Sequence, residues 1–197
     1  IYMYEPPMTR QQHEAAVDEL LGTPVDALMF CLGDGRTMLH DTQVSELWGH
    51  NIDSWPHLVF RRAHINARDA IAAGTDPLRI VCERAQAHDL PIYPSLIMQQ
   101  GRGPRQIDVR CSEFRHDHAH LEIGEAVDAQ HPAHTCLNYA HEEVRAERLA
   151  IVEEVVAAYP VAGFELNFAW QTWFFAPDAE DAGRALMTAW IRQLRDI

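Results

Sequence analysis

Two polar side chains inside one predicted strand raise the question of a catalytic or binding site. The stretch "GFELNFAW", residues 163–170, places Glu165 and Asn167 among apolar residues. Because successive side chains of a strand point to opposite faces, Glu165 and Asn167 share one face, and their apolar neighbours share the other. A solvated edge strand has this pattern, and so does a strand that ends in an active site.

Aromatic and polar residues near the predicted strand ends suggest what such a site would bind. Trp170 and Trp173 follow Asn167 directly, and an indole face is a platform for the C–H groups of a sugar ring. Packing of the loop against the protein explains the same aromatic residues without a ligand. The other candidate substrate-binding residues, which would form hydrogen bonds to hydroxyl groups, are Gln99, Gln100, Asn138, Tyr139 and His64.

The elements that would position these residues alternate between strands and helices. Apolar runs predict strands at 25–32, 90–98 and 161–168, and "IYMY" predicts a short strand at the start. Spaced apolar residues predict helices after Thr9, after Asp76, after His141 and near the end of the chain. A further short helix is expected around residues 64–72.

Two long insertions, residues 33–74 and 99–135, each follow a strand and precede a helix, where loops build sites in parallel α/β proteins. The sequence therefore predicts a single α/β domain over residues 1–197, with about four β/α units of the TIM-barrel type. A closed barrel needs about 250 residues. This chain is therefore expected to be the N-terminal half of a barrel, completed by a missing C-terminal half or by association of two copies. An open doubly wound sheet of about four or five strands is the alternative.

The blocks "GTDPLRIVCERAQAHDLPIYPSLIM" (74–98) and "LNYAHEEVRAERLAIVEEVVAAYPVAGFELNF" (137–168) resemble the family-10-like glycosyl hydrolases, which are (β/α)8 proteins. The resemblance spans roughly residues 25–196 and is most specific between 137 and 168. It implies hydrolysis of a glycosidic bond at the carboxyl-end face, without a cofactor.

Several residues depart from the pattern of that family. Asn167 stands where the family has a strand-end aspartate, "SLIMQQ" (95–100) replaces "S-L-R-M-N-D", and Trp170 replaces an arginine. Glycoside hydrolysis usually needs two carboxyl groups, and an amide can only orient a substrate. We therefore expect Glu165 to act as acid, base or orienting group and Asn167 to orient the substrate. The alternative is a carbohydrate-binding barrel that has lost its nucleophile.

A third interpretation uses the histidine-rich insertion. "HDHAH" contains three histidines around Asp117, and three more follow, so the loop is rich in residues that bind zinc or related ions. None of these histidines lies at the end of a predicted strand, and the expected site contains no metal. The histidines in question are His116, His118, His120, His131, His134 and His141.

Charge and composition limit the possible partners. The formal net charge of -13 repels phosphate backbones, which argues against nucleic acid and is compatible with a neutral carbohydrate. No apolar run approaches the roughly 20 residues that span a bilayer, and the first ten residues lack the pattern of a signal peptide. The four cysteines are widely spaced, which favours free thiols and a reducing compartment.

Overall fold

The computed structural model describes residues 1–35 and 37–197, and it contains six short strands and six α-helices in that part of the chain. The strands are β1 (Leu28–Cys31), β2 (Gly33–Asp34), β3 (Thr37–Met38), β4 (Glu46–Leu47), β5 (Ile92–Ile97) and β6 (Glu165–Asn167). The α-helices are α1 (Arg10–Asp18), α2 (Leu58–Ala72), α3 (Pro77–Ala87), α4 (Glu113–Asp117), α5 (Glu142–Ala158) and α6 (Glu180–Arg195).

The main sheet contains three parallel strands in the order β1-β5-β6. The central strand β5 pairs with β1 from Leu28↔Ile92 to Cys31↔Ser95 and with β6 from Ser95↔Glu165 to Ile97↔Asn167. The connections from β1 to β5 and from β5 to β6 both contain helices, as parallel pairing requires. The carboxyl ends of all three strands therefore lie at the same edge of the sheet.

The main hydrophobic core covers one face of this sheet. Leu96 of β5 and Leu166 of β6 belong to it, together with buried side chains of α3 such as Leu78 and of α5 such as Ile151. Trp190 of α6 is also part of this core. Burial of each such large apolar side chain contributes about 1.5–3 kcal/mol. The even-numbered side chains of the strands thus anchor the helices, which leaves the odd-numbered side chains on the other face.

The first insertion builds a second, smaller sheet. In it β2 pairs antiparallel with β3, and β3 pairs parallel with β4. Trp48, just after β4, is completely buried in a separate cluster with Phe60 of α2 and Tyr2. The insertion therefore has a hydrophobic core of its own beside the main sheet.

The predicted barrel is wrong. Within residues 1–35 and 37–197 the main sheet has only three strands, and β1 and β6 each pair on one side only, whereas a barrel strand pairs on both. The observed architecture is a mixed α/β fold with two small three-stranded sheets. The predicted α/β class and the parallel strands are found, but four barrel units are not.

The predicted strand at "IYMY" is also wrong, for a local reason. The side chain of Asn66 on α2 accepts a hydrogen bond from the backbone of Met8 and donates to the carbonyls of Ile1 and Tyr4. One buried amide thus satisfies backbone groups that a strand would have paired with a neighbour. The first eight residues form an irregular segment anchored to α2.

Several local predictions are confirmed. Thr9 and Gln12 form the predicted capping box at the start of α1. Asp76 caps α3 by accepting a hydrogen bond from Leu78, and Pro77 occupies the first helical position. The helix expected around 64–72 exists but begins earlier, at Leu58, where His57 provides the cap.

None of the helices in the described part of the chain is long and apolar enough to cross a lipid bilayer.

Candidate functional site

The site begins with the sheet face that lies opposite the main core. Because β1, β5 and β6 are parallel and in register, Cys31, Ser95 and Glu165 form one row across this face, and Ile97 pairs with Asn167 one step further along. We call this surface the Glu165 face. Asn167 is the last residue of β6 and lies at the carboxyl edge of the sheet, where the connecting loop begins.

Glu165 is half-buried on this face, and its side chain makes no hydrogen bond or ion pair with any described residue. Its neighbour in register, Ser95, is buried with 5% of its surface exposed. A carboxylate has about four acceptor sites, so the Glu165 side chain is available to hydroxyl groups of a ligand. Glu165 and Asn167 lie on the same face of the sheet, opposite the face of Leu166 and the main core, as the alternation of strand side chains predicts.

Asn167 and Trp170 occupy the end of β6. The Asn167 Oδ1 atom accepts a hydrogen bond from the backbone of Ala169 at 3.0 Å, which fixes the turn that follows the strand. Trp170, the next residue, is 55% exposed. Trp170 follows Glu165 by five residues, and carbohydrate sites use exposed indoles together with carboxylate side chains.

Arg110 orients this indole from the second insertion. Its guanidinium carbon lies 5.9 Å from the ring centroid of Trp170 and 5.8 Å from that of Phe60. Such cation–π contacts contribute about 0.5–1 kcal/mol each at exposed sites. Arg110 therefore connects the loop after β6 to α2, and its contact restricts the position of the Trp170 ring.

Two of the predicted substrate contacts, Gln99 and Tyr139, instead form hydrogen bonds inside the protein. The Gln99 amide donates to the carbonyls of Leu137 and Trp173 at 2.7 and 2.6 Å, and its oxygen accepts from the backbones of Leu137 and Gln100. Tyr139 is fully buried, its hydroxyl donates to the carbonyl of Met98, and burial raises its pKa to about 12. Neither residue presents surface to a ligand.

A buried arginine organises the second insertion around the end of β5. Arg115 is 2% exposed and donates to the carbonyls of Gln100 and Thr135. Glu122 lies 3.7 Å from it and also accepts a bidentate pair of hydrogen bonds from Arg102, at 2.6 and 3.0 Å. We call Gln99, Arg102, Arg115 and Glu122 the loop network, because they join the loop to the strand end.

The remaining predicted contacts lie in different surroundings. Gln100 is buried, and its side-chain oxygen has no hydrogen-bond partner among the described residues. Asn138 caps a turn by accepting from Ala140, and Trp173 packs half-buried in a small cluster with Ile123. His64 is bonded to the carbonyl of Trp48 at 2.9 Å, inside the first insertion. Glu165, Asn167 and Trp170 thus belong to one segment, formed by β6 and the turn after it, whereas His64 lies in the first insertion.

Two histidines of the histidine-rich loop, His118 and His131, pack against aromatic side chains. His118 stacks on Phe114 with ring centroids 4.3 Å apart, and its Nδ1 atom is 2.8 Å from the Phe114 carbonyl. His131 contacts Trp173 edge-on and accepts a hydrogen bond from Ala133. Over residues 1–35 and 37–197, no three His, Cys, Asp or Glu side chains are grouped as metal ligands would be. The described residues therefore provide no cluster of metal ligands for a metal-dependent hydrolase.

Sequence reasoning missed Arg110 and the loop network. Arg110 follows "RQIDV", a stretch without periodicity, and Arg115 lies on a helix of five residues. Their spacing in the sequence does not show that Arg110 contacts the indole of Trp170, 60 residues later. It does not show that Arg115 is buried either. Only the closure of the loop onto the strand end brings these partners together.

Comparison with known proteins adds no identity. No family model matches the chain, and no curated protein matches it either. The resemblance to family-10-like glycosyl hydrolases therefore stays a prediction, and the geometry of the Glu165 face is the basis for a function.

Proposed function

We propose that the protein binds a neutral carbohydrate at the carboxyl end of the Glu165 face and hydrolyses its glycosidic bond. Glu165 is the acid or base group, Asn167 orients the substrate, and Trp170 stacks on a sugar ring. One observation carries the proposal: strand register puts Glu165 and Asn167 on the face opposite the core, and the exposed Trp170 follows them immediately.

The chemistry of the three side chains supports a sugar as ligand. A carboxylate accepts hydrogen bonds from hydroxyl groups, an amide can donate and accept, and an indole provides an apolar face for the C–H groups of the ring. The net charge of -13 disfavours an anionic substrate. A neutral polyhydroxylated ring satisfies all of these conditions.

The availability of Glu165 supports a chemical role. A general acid or base must reach the proton that it transfers, and Glu165 has no described partner that would have to be displaced. Positioned acid–base groups contribute about 10²- to 10⁴-fold to a rate. We therefore expect the rate of hydrolysis to fall by a factor in this range when the side chain at position 165 can no longer exchange a proton.

A second candidate function is carbohydrate binding without hydrolysis. Asn167 favours it, because an amide cannot replace a second carboxyl group and its oxygen is already engaged by the Ala169 backbone. In that case Glu165 and Trp170 hold the sugar and no bond is broken.

The test is a panel of neutral 4-nitrophenyl glycosides with wild-type protein, Glu165→Gln, and the control Glu153→Gln on the exposed side of α5. We expect Glu165→Gln to lose turnover by about 10²-fold or more and to retain binding, and the control to behave as wild type. Binding without turnover in the wild type, together with hydrolysis gained by Asn167→Asp, would favour the second candidate. Absence of binding to the whole panel would overturn both.

A further inference from the structure

The central strand β5, which the structure describes completely, has one side chain that is not buried. Tyr93 is half-buried, and the other five residues of the strand are buried. Because side chains of a strand alternate between its two faces, Tyr93 lies on the same face as Ser95, two residues later. Ser95 is the register partner of Glu165. Tyr93 therefore belongs to the Glu165 face.

The ring of Tyr93 lies against the segment that leads into β6. This segment is held to β5 by the backbone N–H of Ala162, which donates to the carbonyl of Ile92 at 2.9 Å. A Cβ atom at Gly163 would lie only 2.9 Å from Cε1 of the Tyr93 ring, so glycine at this position allows the close approach. Gly163 precedes Glu165 by two residues, which is about 7 Å of extended chain. The tyrosine ring and the carboxylate are thus neighbours on one face.

The Tyr93 side chain can contact both the apolar and the polar groups of a sugar. Its ring offers an apolar surface to C–H groups, and its hydroxyl forms no hydrogen bond with any described residue. Since a phenol donates and accepts hydrogen bonds, a sugar hydroxyl is a suitable partner, whereas a purely apolar ligand would leave it unpaired. Met29, the register partner of Tyr93 on β1, is 55% exposed and adds apolar surface beside the ring.

We propose that Tyr93 binds a second sugar ring of the substrate, next to the ring that lies at Glu165. The inference rests on the proposed function and narrows its substrate class to neutral oligosaccharides of at least two rings. Tyr93 lies beside Gly163, before Glu165, and Asn167 follows it. An extended chain from Gly163 to Asn167 spans about 13 Å, which is longer than one sugar ring, so Tyr93 and Asn167 contact different rings.

Carbohydrates of different length test this role of Tyr93. Methyl glycosides of neutral hexoses and pentoses occupy one ring position, and disaccharides of the same sugars can occupy two. The variants are Tyr93→Ala, which removes the ring, and Tyr93→Phe, which removes only the hydroxyl. The control is Ile191→Ala, at an exposed position of α6, a helix that packs against the main core on the other face of the sheet. Titration calorimetry measures each affinity, and thermal unfolding checks that the variants are folded.

For the wild type we expect about tenfold tighter binding of disaccharides than of methyl glycosides. Tyr93→Ala should remove this preference and leave the affinity for methyl glycosides unchanged, and Ile191→Ala should behave as wild type. Tyr93→Phe loses one hydrogen bond and should bind disaccharides about two- to tenfold more weakly, with methyl glycosides unaffected.

Equal affinity of the wild type for disaccharides and methyl glycosides would overturn the second ring position and leave the proposed function intact. A folded Tyr93→Ala protein that keeps the preference, or a Tyr93→Phe protein with unchanged affinity for disaccharides, would contradict the role of Tyr93 in the same way. Absence of binding to every carbohydrate would instead overturn the proposed function, and with it this inference.

Discussion

The loop network at the end of β5 and the Glu165 face at the end of β6 use the same polar residue types in opposite ways. The four side-chain hydrogen bonds of Gln99 all go to backbone groups, and Arg115 is buried against two carbonyls. Glu165, one strand away, has no described partner, and Trp170 is half-exposed. Polar side chains bonded to backbone atoms hold a fold together, whereas a partly exposed polar side chain without a partner is available to a ligand.

The largest difference between the two regions is expected in the reactivity of their thiols. Cys31 is exposed on the Glu165 face, whereas Cys82, Cys111 and Cys136 are buried. Burial raises the pKa of Cys82 and Cys111 to about 12 and that of Cys136 to about 11, so these thiols stay protonated at pH 8. Titration with a disulfide reagent should find one fast thiol in the native protein and four after unfolding in guanidinium. Fast reaction of Cys111 or Cys136, assigned by peptide mapping, would show that the loop network opens readily.

The largest loss of stability is expected at Gln99. Gln99→Ala leaves buried backbone groups of Leu137 and Trp173 without partners, and each such group costs about 1–3 kcal/mol. We expect unfolding in urea to show a loss of about 3–5 kcal/mol. The matched control is Gln100→Ala, because Gln100 is also buried but its side-chain oxygen is unpaired, and a loss below about 1 kcal/mol is expected there. Equal losses at both positions would contradict the structural role of Gln99.

These residues show how far the sequence alone goes. The capping box at Thr9, the cap at Asp76 and the alternation around Glu165 all follow from local rules, and all three are found. The burial of Gln99 does not follow from such rules, because its partners lie 38 and 74 residues away. For the same reason the barrel prediction failed: periodicity identifies strands and helices, but pairing at the sheet edges depends on distant parts of the chain.

A smaller effect is expected on acidification. Burial lowers the pKa of His40 below the usual 6.5, although the carboxylates of Asp76, Glu154 and Asp41 oppose this shift. Burial also lowers the pKa of His13, and the N-terminal amine adds to the effect. Since the unfolded chain then binds protons more readily than the folded one, stability is greatest above pH 6.5 and falls as the pH is lowered below it.

The measurement is the free energy of unfolding in urea between pH 7.5 and 5, for wild type and for His40→Phe. The aromatic ring of phenylalanine keeps most of the volume but cannot take up a proton, so the pH dependence of the variant should be shallower. An identical slope in both proteins would show that His40 is not the group responsible.

The smallest change in stability is expected at Glu165. Because its carboxylate is half-buried and has no described partner, Glu165→Gln should change the free energy of unfolding by less than about 0.5 kcal/mol. Urea unfolding of the same preparation used for the glycoside assays provides the value. A loss of about 3 kcal/mol or more, as found when one partner of a buried ion pair is removed, would place Glu165 among the structural polar groups instead.

Calorimetric titration of neutral glycosides into the wild type, Trp170→Ala and the control Ile191→Ala tests the central claim most directly. Ile191 is an exposed apolar residue of α6, a helix that packs against the main core. We predict that the wild type and Ile191→Ala bind the same sugar equally and that Trp170→Ala binds it about tenfold more weakly. A wild type that binds no member of the panel, or a Trp170→Ala protein with unchanged affinity, would contradict the assignment of the Glu165 face as a carbohydrate site.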